Sequence, residues 1–232
     1  MKYHFIKQNS CPTDGVTLSH PVSNKHSLLL IFTGWASDER LFKNFSEAKQ
    51  DVCICSDYRT LEFDAELFRS YSEIRVIAWS LGVFVANRVL LNSALPVVSA
   101  VAINGTIFPR NDEKGIPTAI YDGTEQILTE ENLFKFYRRM CVSAEDYRNF
   151  LKFGFSFPVT ELQDALQNIR IIEEKEPSPC GKTIFTEVII GLYDRIFPTK
   201  NQKQAWENFP SVKFKEIAHY DEQMFNIEEV NN

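Results

Sequence analysis

Short, unbroken apolar runs alternate with amphipathic stretches along most of the chain. Runs at 28–32 (L-L-L-I-F), 52–56, 74–79, 97–104 (V-V-S-A-V-A-I-N) and 183–191 (T-I-F-T-E-V-I-I-G) have strand length and β-branched content, and a last one lies near 212–218. Runs with no polar alternation suit strands covered on both faces, as in a parallel sheet. Helix-like stretches fall between them, around 64–71, 81–92 and 199–208. This alternation predicts an α/β fold, with a mostly parallel central sheet flanked by helices. Residues 2–6 would add an edge strand.

From 107 to 182 the pattern changes. The stretch L-T-E-E-N-L-F-K-F-Y-R-R-M (128–140) places Leu133, Phe136, Tyr137 and Met140 at helical spacing, with Thr129 positioned to cap it. Residues 144–153 and 160–175 also read as helices, and E-E-K-E-P-S-P-C-G-K (173–182) as a charged exit loop. The expected organisation is a core formed by 1–106 and 183–232, with a helical cap inserted at 107–182. Such an insertion would lie over the carboxyl edge of the sheet, where parallel sheets bind ligands.

Composition narrows the class. The chain has 232 residues, 44% of them hydrophobic, which suits one globular core plus an insertion. The net charge of −6 argues against nucleic-acid binding. No apolar run reaches the roughly 18 residues a membrane span needs, and the first ten residues are too mixed for a signal peptide. Five cysteines, at 11, 53, 55, 141 and 180, show no disulfide-scaffold spacing. Cys53 and Cys55 share one face of a strand with no histidine nearby, so buried thiols are expected there rather than a metal site. A cytoplasmic monomer that uses no metal or cofactor is expected.

The candidate chemistry starts at A-W-S-L-G (78–82). Ser80 stands between the run Val76–Trp79 and an apolar helix, a relaxed form of the G-x-S-x-G nucleophile elbow of α/β-hydrolases. A plain helix cap is the alternative role for this serine. The elbow needs small residues two before and two after the nucleophile, and Ala78 and Gly82 supply them. A serine hydroxyl needs a base, and the base an orienting acid, in chain order Ser, Asp or Glu, His. Of the four histidines, only His219 follows Ser80. Asp194, directly after the strand that returns from the cap, is the candidate acid, with Asp221 next in line. The candidate oxyanion donors are the backbone N–H of Leu81 and Trp35, whose N–H and ring the loop F-T-G-W-A-S-D (32–38) would place beside the serine.

With these residues in place the chain resembles the BioG-type pimeloyl-acyl-carrier-protein methyl ester esterases, which are α/β-hydrolases of biotin synthesis. The resemblance rests on G-W-A (34–36), I-A-W-S-L-G-V-F-V-A (77–86), A-I-N-G-T (102–106) with Pro109, and G-I-P (115–117). It continues through Y-R-R-M-C (137–141), D-R-I-F-P (194–198), N-Q-K-Q-A-W (201–206) and His219. It implies hydrolysis of the methyl ester of a pimeloyl chain on acyl-carrier protein, by Ser80, Asp194 and His219, with Trp35 and Leu81 as oxyanion donors. There are two departures. His219-Tyr220-Asp221 replaces the commoner His-Phe-Pro or His-Tyr-Pro, and 13 residues follow the histidine, room for a short last helix.

An acidic enzyme acting on an acidic carrier needs a local basic patch. Lys135, Arg138, Arg139, Arg148 and Lys152 are the candidate carrier-docking residues; a solvated helix face paired with Glu130, Glu131 and Glu145 is the alternative. Two other functions stay open on sequence alone. One is a serine hydrolase or thioesterase for another small acyl group. The other is a non-catalytic receptor on the same fold.

Overall fold

The structure, a computed structural model, describes residues 1–8, 26–155, 157–177 and 182–225. Seven strands form one sheet: β1 (Lys2–Lys7), β2 (Ser27–Phe32), β3 (Asp51–Ser56), β4 (Glu73–Trp79), β5 (Val97–Ile103), β6 (Glu187–Gly191) and β7 (Val212–Lys215). Their order is β1-β3-β2-β4-β5-β6-β7. β1 pairs antiparallel at the edge and every other pair is parallel, as the unbroken apolar runs require. Apart from Ser27, which is partly buried, every residue of β2 and β3 is buried. The fold is that of the α/β-hydrolases, as the sequence predicts.

Helix α1 (Leu81–Leu90) follows β4. Among the described residues, four helices lie between β5 and β6 in the chain: α2 (Thr118–Gln126), α3 (Glu130–Met140), α4 (Ala144–Leu151) and α5 (Val159–Lys175). α6 (Thr199–Ala205) precedes β7. Thr129 caps α3 as expected, its Oγ1 accepting from the Asn132 N–H at 3.2 Å. Ser143 and Asp146 form a reciprocal capping box on α4.

Several boundaries differ from expectation, each for a local reason. The run 183–191 enters the sheet only at Glu187, because the Ile184 N–H bonds the Asn87 side chain of α1 at 3.0 Å. The run 212–218 leaves it after Lys215, as Ile217 bends over the end of β6 and accepts from the Tyr193 N–H. Residues 64–71 supply only a short 3₁₀ turn, Ala65–Phe68, and a second 3₁₀ segment, Glu39–Glu47, was not expected. Helix α2 was not expected either: it buries only Tyr121 and carries Gly123 mid-helix, so its apolar periodicity is faint.

Past the histidine, a 3₁₀ turn covers Glu222–Phe225; the rest of the segment expected to hold a short last helix, 226–232, lies outside the described residues. Cys53, Cys55 and Cys141 are free, buried thiols, and burial pushes the Cys55 thiol well up and the Cys141 thiol up to about 12. Cys11 and Cys180 lie outside the described residues. Among the described residues no helix is long and apolar enough to cross a membrane.

Candidate active site

The strand-to-helix turn after β4 is sharp enough to force Ser80 to φ 59°, ψ −129°. A non-glycine residue there stores strain, and such strain persists only where the surroundings hold it. Ser80 N–H is tied to Ile103 O at 3.0 Å, and its carbonyl accepts from Val83 N–H. The small flanking residues have steric reasons. A Cβ on Gly82 would lie 2.5 Å from the carbonyl oxygens of Phe32 and Thr33, and one on Gly105 would lie 2.3 Å from Ser80 O. Ser80 makes no side-chain cap bond to α1, so its hydroxyl is turned elsewhere.

That hydroxyl meets His219. Ser80 Oγ and His219 Nε2 are 2.9 Å apart, and His219 Nδ1 lies 2.9 Å from Asp194 Oδ2. The three come from distant points of the chain: the β4–α1 turn, the loop after β6, and the loop after β7. All are buried, His219 completely. Asp194 is held by four donors. Its Oδ1 accepts from the Ile196 and Phe197 N–H groups at 2.8 and 3.0 Å, and its Oδ2 from Gln202 Nε2 at 2.9 Å and from His219. Such a carboxylate is fixed in position, which is what an orienting acid needs. The other sequence candidate, Asp221, opens the segment beyond the histidine, where its backbone N–H donates to Met224 Sδ.

The backbone of His219 is clamped as well. Its carbonyl accepts from Trp79 Nε1 at 2.9 Å and from Asn104 Nδ2 at 3.1 Å, while the ring stacks on Phe197. Asn104 also donates to Ala218 O at 2.7 Å, and its Oδ1 accepts from the Gly191 N–H at 2.6 Å. One amide thus joins the ends of β5 and β6 to the histidine loop. Tyr220 N–H donates to Met140 O at 3.0 Å, fastening that loop to α3 without the proline common at Asp221.

Gln202 and Asn104 were not singled out as site residues by their chemistry. The signal for them lay in the motif blocks that contain them, A-I-N-G-T and N-Q-K-Q-A-W. The second block now has a physical account: Asn201 Nδ2 donates to Asp112 O and Gly115 O, Gln202 holds Asp194, and Trp206 Nε1 donates to Gly105 O.

Trp35 sits partly as expected. Its ring lines the pocket at Ser80, and a Cβ on neighbouring Gly34 would lie 3.2 Å from Ser80 Cβ, so this loop abuts the serine. Its indole N–H, however, donates to Leu162 O of α5 at 3.0 Å and is turned away from the serine. The backbone N–H groups of Trp35 and Leu81 have no hydrogen-bond partner among the described residues. Around Ser80 the pocket is apolar and small, about 30 Å³, walled by Trp35, Leu81, Ile116, Tyr121, Leu166 and Ile196. Ile120, Thr124, Phe136 and Arg139 complete it.

The five basic candidates do not behave alike. Lys135 pairs with Glu131 at 2.7 Å on an exposed face, as the solvated-face alternative has it. Arg138 donates to Cys141 O and lies over the Tyr147 ring. Lys152 bonds Asn149 and Arg148 is exposed; only Arg139 reaches the pocket of Ser80. Among the described residues no group of three His, Cys, Asp or Glu side chains could hold a metal.

The family model described as pimeloyl-ACP methyl esterase BioG matches residues 18–229. A Bacteroides fragilis protein named malonyl-[acyl-carrier protein] O-methyltransferase is 43% identical over 197 residues, 84% of this chain; the chain spans only 40% of that relative's length. An uncharacterized Haemophilus influenzae protein is 33% identical over 194 residues, 83% of this chain and 88% of its own. Among solved structures, BioG from Haemophilus influenzae superposes with a TM-score of 0.81 at 29% identity, covering 100% of both chains. A Pseudomonas aeruginosa hydrolase superposes at 0.65 with 13% identity, over 98% of this chain and 89% of its own, and shows the fold alone.

Proposed function

The chain belongs to the pimeloyl-ACP methyl esterase BioG family, and from that membership and the site geometry we propose that it is a serine esterase of biotin synthesis. Its substrate would be the methyl ester of a pimeloyl group on acyl-carrier protein, and its products the free carboxylate and methanol. The observation that carries this is the contact of Ser80 Oγ with His219 Nε2 at 2.9 Å, with Asp194 on the far ring nitrogen. Residues 107–182 act as a cap over that site.

Ser80 Oγ attacks the ester carbonyl carbon as His219 Nε2 takes its proton. Asp194, held by its other three donors, stabilises the imidazolium and fixes the tautomer. The backbone N–H groups of Leu81 and Trp35 receive the oxyanion; with no other partner among the described residues, they need no reorganisation to do so. Collapse breaks the bond to the methoxy oxygen, and His219 returns the proton to give methanol. A water, deprotonated by His219, then cleaves the acyl-serine and restores both residues. No metal or cofactor enters any step.

The lining of the pocket supports a small, uncharged alkoxy group: Trp35, Leu81, Ile116, Leu166 and Ile196 wall it with apolar side chains. Methyl transfer, the activity named for the Bacteroides relative, needs no activated serine, and that name describes a protein of which this chain spans 40%. A receptor that only binds has no use for a serine and histidine in hydrogen-bond contact either. Buried free thiols at Cys53, Cys55 and Cys141 support a reducing, cytoplasmic setting.

The test is methanol release from carrier-bound pimeloyl methyl ester, run beside the carrier-bound ethyl ester. Rapid turnover of the methyl ester, with the ethyl ester slower, is expected. Inertness toward the methyl ester, with turnover of other short esters, would assign the site to another substrate.

A further inference from the structure

The pocket at Ser80 shares a wall with the cap surface. The four residues Ile120, Thr124, Phe136 and Arg139 line it and also line a second, outer groove of about 280 Å³ between α2 and α3. The same four side chains thus stand between the nucleophile's pocket and the outer groove. The groove is apolar where a surface helix pair would ordinarily be polar: Ile120 is 47% exposed and Ile127 66%. At Gly123 it has no side chain, and a Cβ there would meet nothing within 4 Å. Arg139 stands at the junction of the two spaces. Lys135, one helical turn earlier on α3, lines the outer space alone.

We propose that this groove holds the pantetheine arm of the carrier, an extended chain of methylenes, amides and a thioester. This rests on the function proposed above, and it assigns the direction of the substrate. The methoxy end sits in the small pocket, the acyl chain passes Ile120 and Phe136, and the thioester and amide carbonyls reach the cationic junction. Arg139 donates to those carbonyls; it makes no ion pair among the described residues, so its donors are available. The chemistry matches along the length: apolar walls for methylenes, a fork of N–H donors where carbonyls begin, and open water beyond Lys135 for the phosphate and the carrier itself. Arg138, though adjacent in sequence, is occupied by Cys141 O and Tyr147 and has no part in the path.

The test blocks the groove without touching the site. Gly123→Leu puts a side chain into open space and improves helix propensity, so folding is retained. Three methyl esters are compared by kcat and KM: a short ester with no arm, pimeloyl methyl ester on pantetheine, and the same ester on the carrier. Gly123→Leu is expected to raise KM about tenfold or more for both arm-bearing esters and to spare the short one, and Arg139→Gln to raise KM more for the arm-bearing esters than for the short one. Arg138→Gln should change none of them. Equal losses on all three esters would mean damage to the pocket and overturn the assignment. A loss confined to the carrier-bound ester would place these residues against the carrier's surface and equally overturn it. Unchanged KM for the arm-bearing esters in both variants refutes the groove while leaving the esterase intact. A wild-type protein inert toward the carrier-bound ester sinks the proposed function instead.

Discussion

Asn104→Asp changes one atom at the point where the histidine loop is clamped. The aspartate keeps the acceptor for Gly191 N–H, and it tolerates the left-handed backbone of this position, φ 48°, as asparagine does. What it loses is the donor. Its second oxygen would face Ala218 O and His219 O, now 2.7 and 3.1 Å from the amide nitrogen, in a site with no solvent exposure. His219 O retains Trp79 Nε1 as a donor; Ala218 O loses the Asn104 bond. An orphaned carbonyl costs about 1–3 kcal/mol, and an unpaired buried charge raises the total to about 3–5 kcal/mol. The carboxyl can recover part of this by taking a proton and donating it to Ala218 O, so its folded pKa is raised above the unfolded value of about 3.9. A raised folded pKa means that the penalty is smallest below about pH 4 and grows as pH rises through the folded value. Urea unfolding of variant and wild type across that range measures it, with Asn104→Ala as the control that cannot titrate. A loss within about 0.5 kcal/mol at neutral pH, or a penalty that grows as pH falls, would refute the clamp.

The other predictions concern the turn, the acid and the base. Gly82→Ala should destabilise by about 3 kcal/mol or more, because the new methyl meets two backbone carbonyls at 2.5 Å that cannot step aside; denaturation midpoints check it. Asp194→Asn should lower kcat about 10³- to 10⁴-fold on a short methyl ester with the fold retained, and normal turnover would shift the orienting role to Asp221. Gln202→Leu removes one of four donors to Asp194 and should lower kcat about tenfold or more with KM unchanged. His219→Ala should be as inactive on all esters as Ser80→Ala, since the two act as one unit; residual activity well above that of Ser80→Ala would mean a second base.

How much of this was legible in the sequence depends on how local each feature is. Ser80 is readable because strand, turn and helix are contiguous, and the glycine at 82 records the close approach of α1 to the end of β2. His219 is readable by elimination, and Asp194 by its place after an apolar strand. Asn104 and Gln202 are not, because a single buried amide has no periodicity and its partners are fixed by topology: His219 lies 115 residues from Asn104. The indole of Trp35 was expected beside the serine, yet α5 takes its N–H, a contact across 127 residues. Helix α2, which forms one wall of the outer groove, escaped because a helix that leaves its apolar side chains exposed lacks a buried stripe. The same exposure that hid it marks the groove.

The central claim is that Ser80 is a nucleophile activated by His219. Labelling with a fluorophosphonate, followed by peptide mass mapping, tests it directly on wild type and on His219→Ala. A single adduct on Ser80, formed rapidly in wild type and lost in the His219 variant, is the predicted result. An unlabelled Ser80, or equal labelling with and without the histidine, would contradict it.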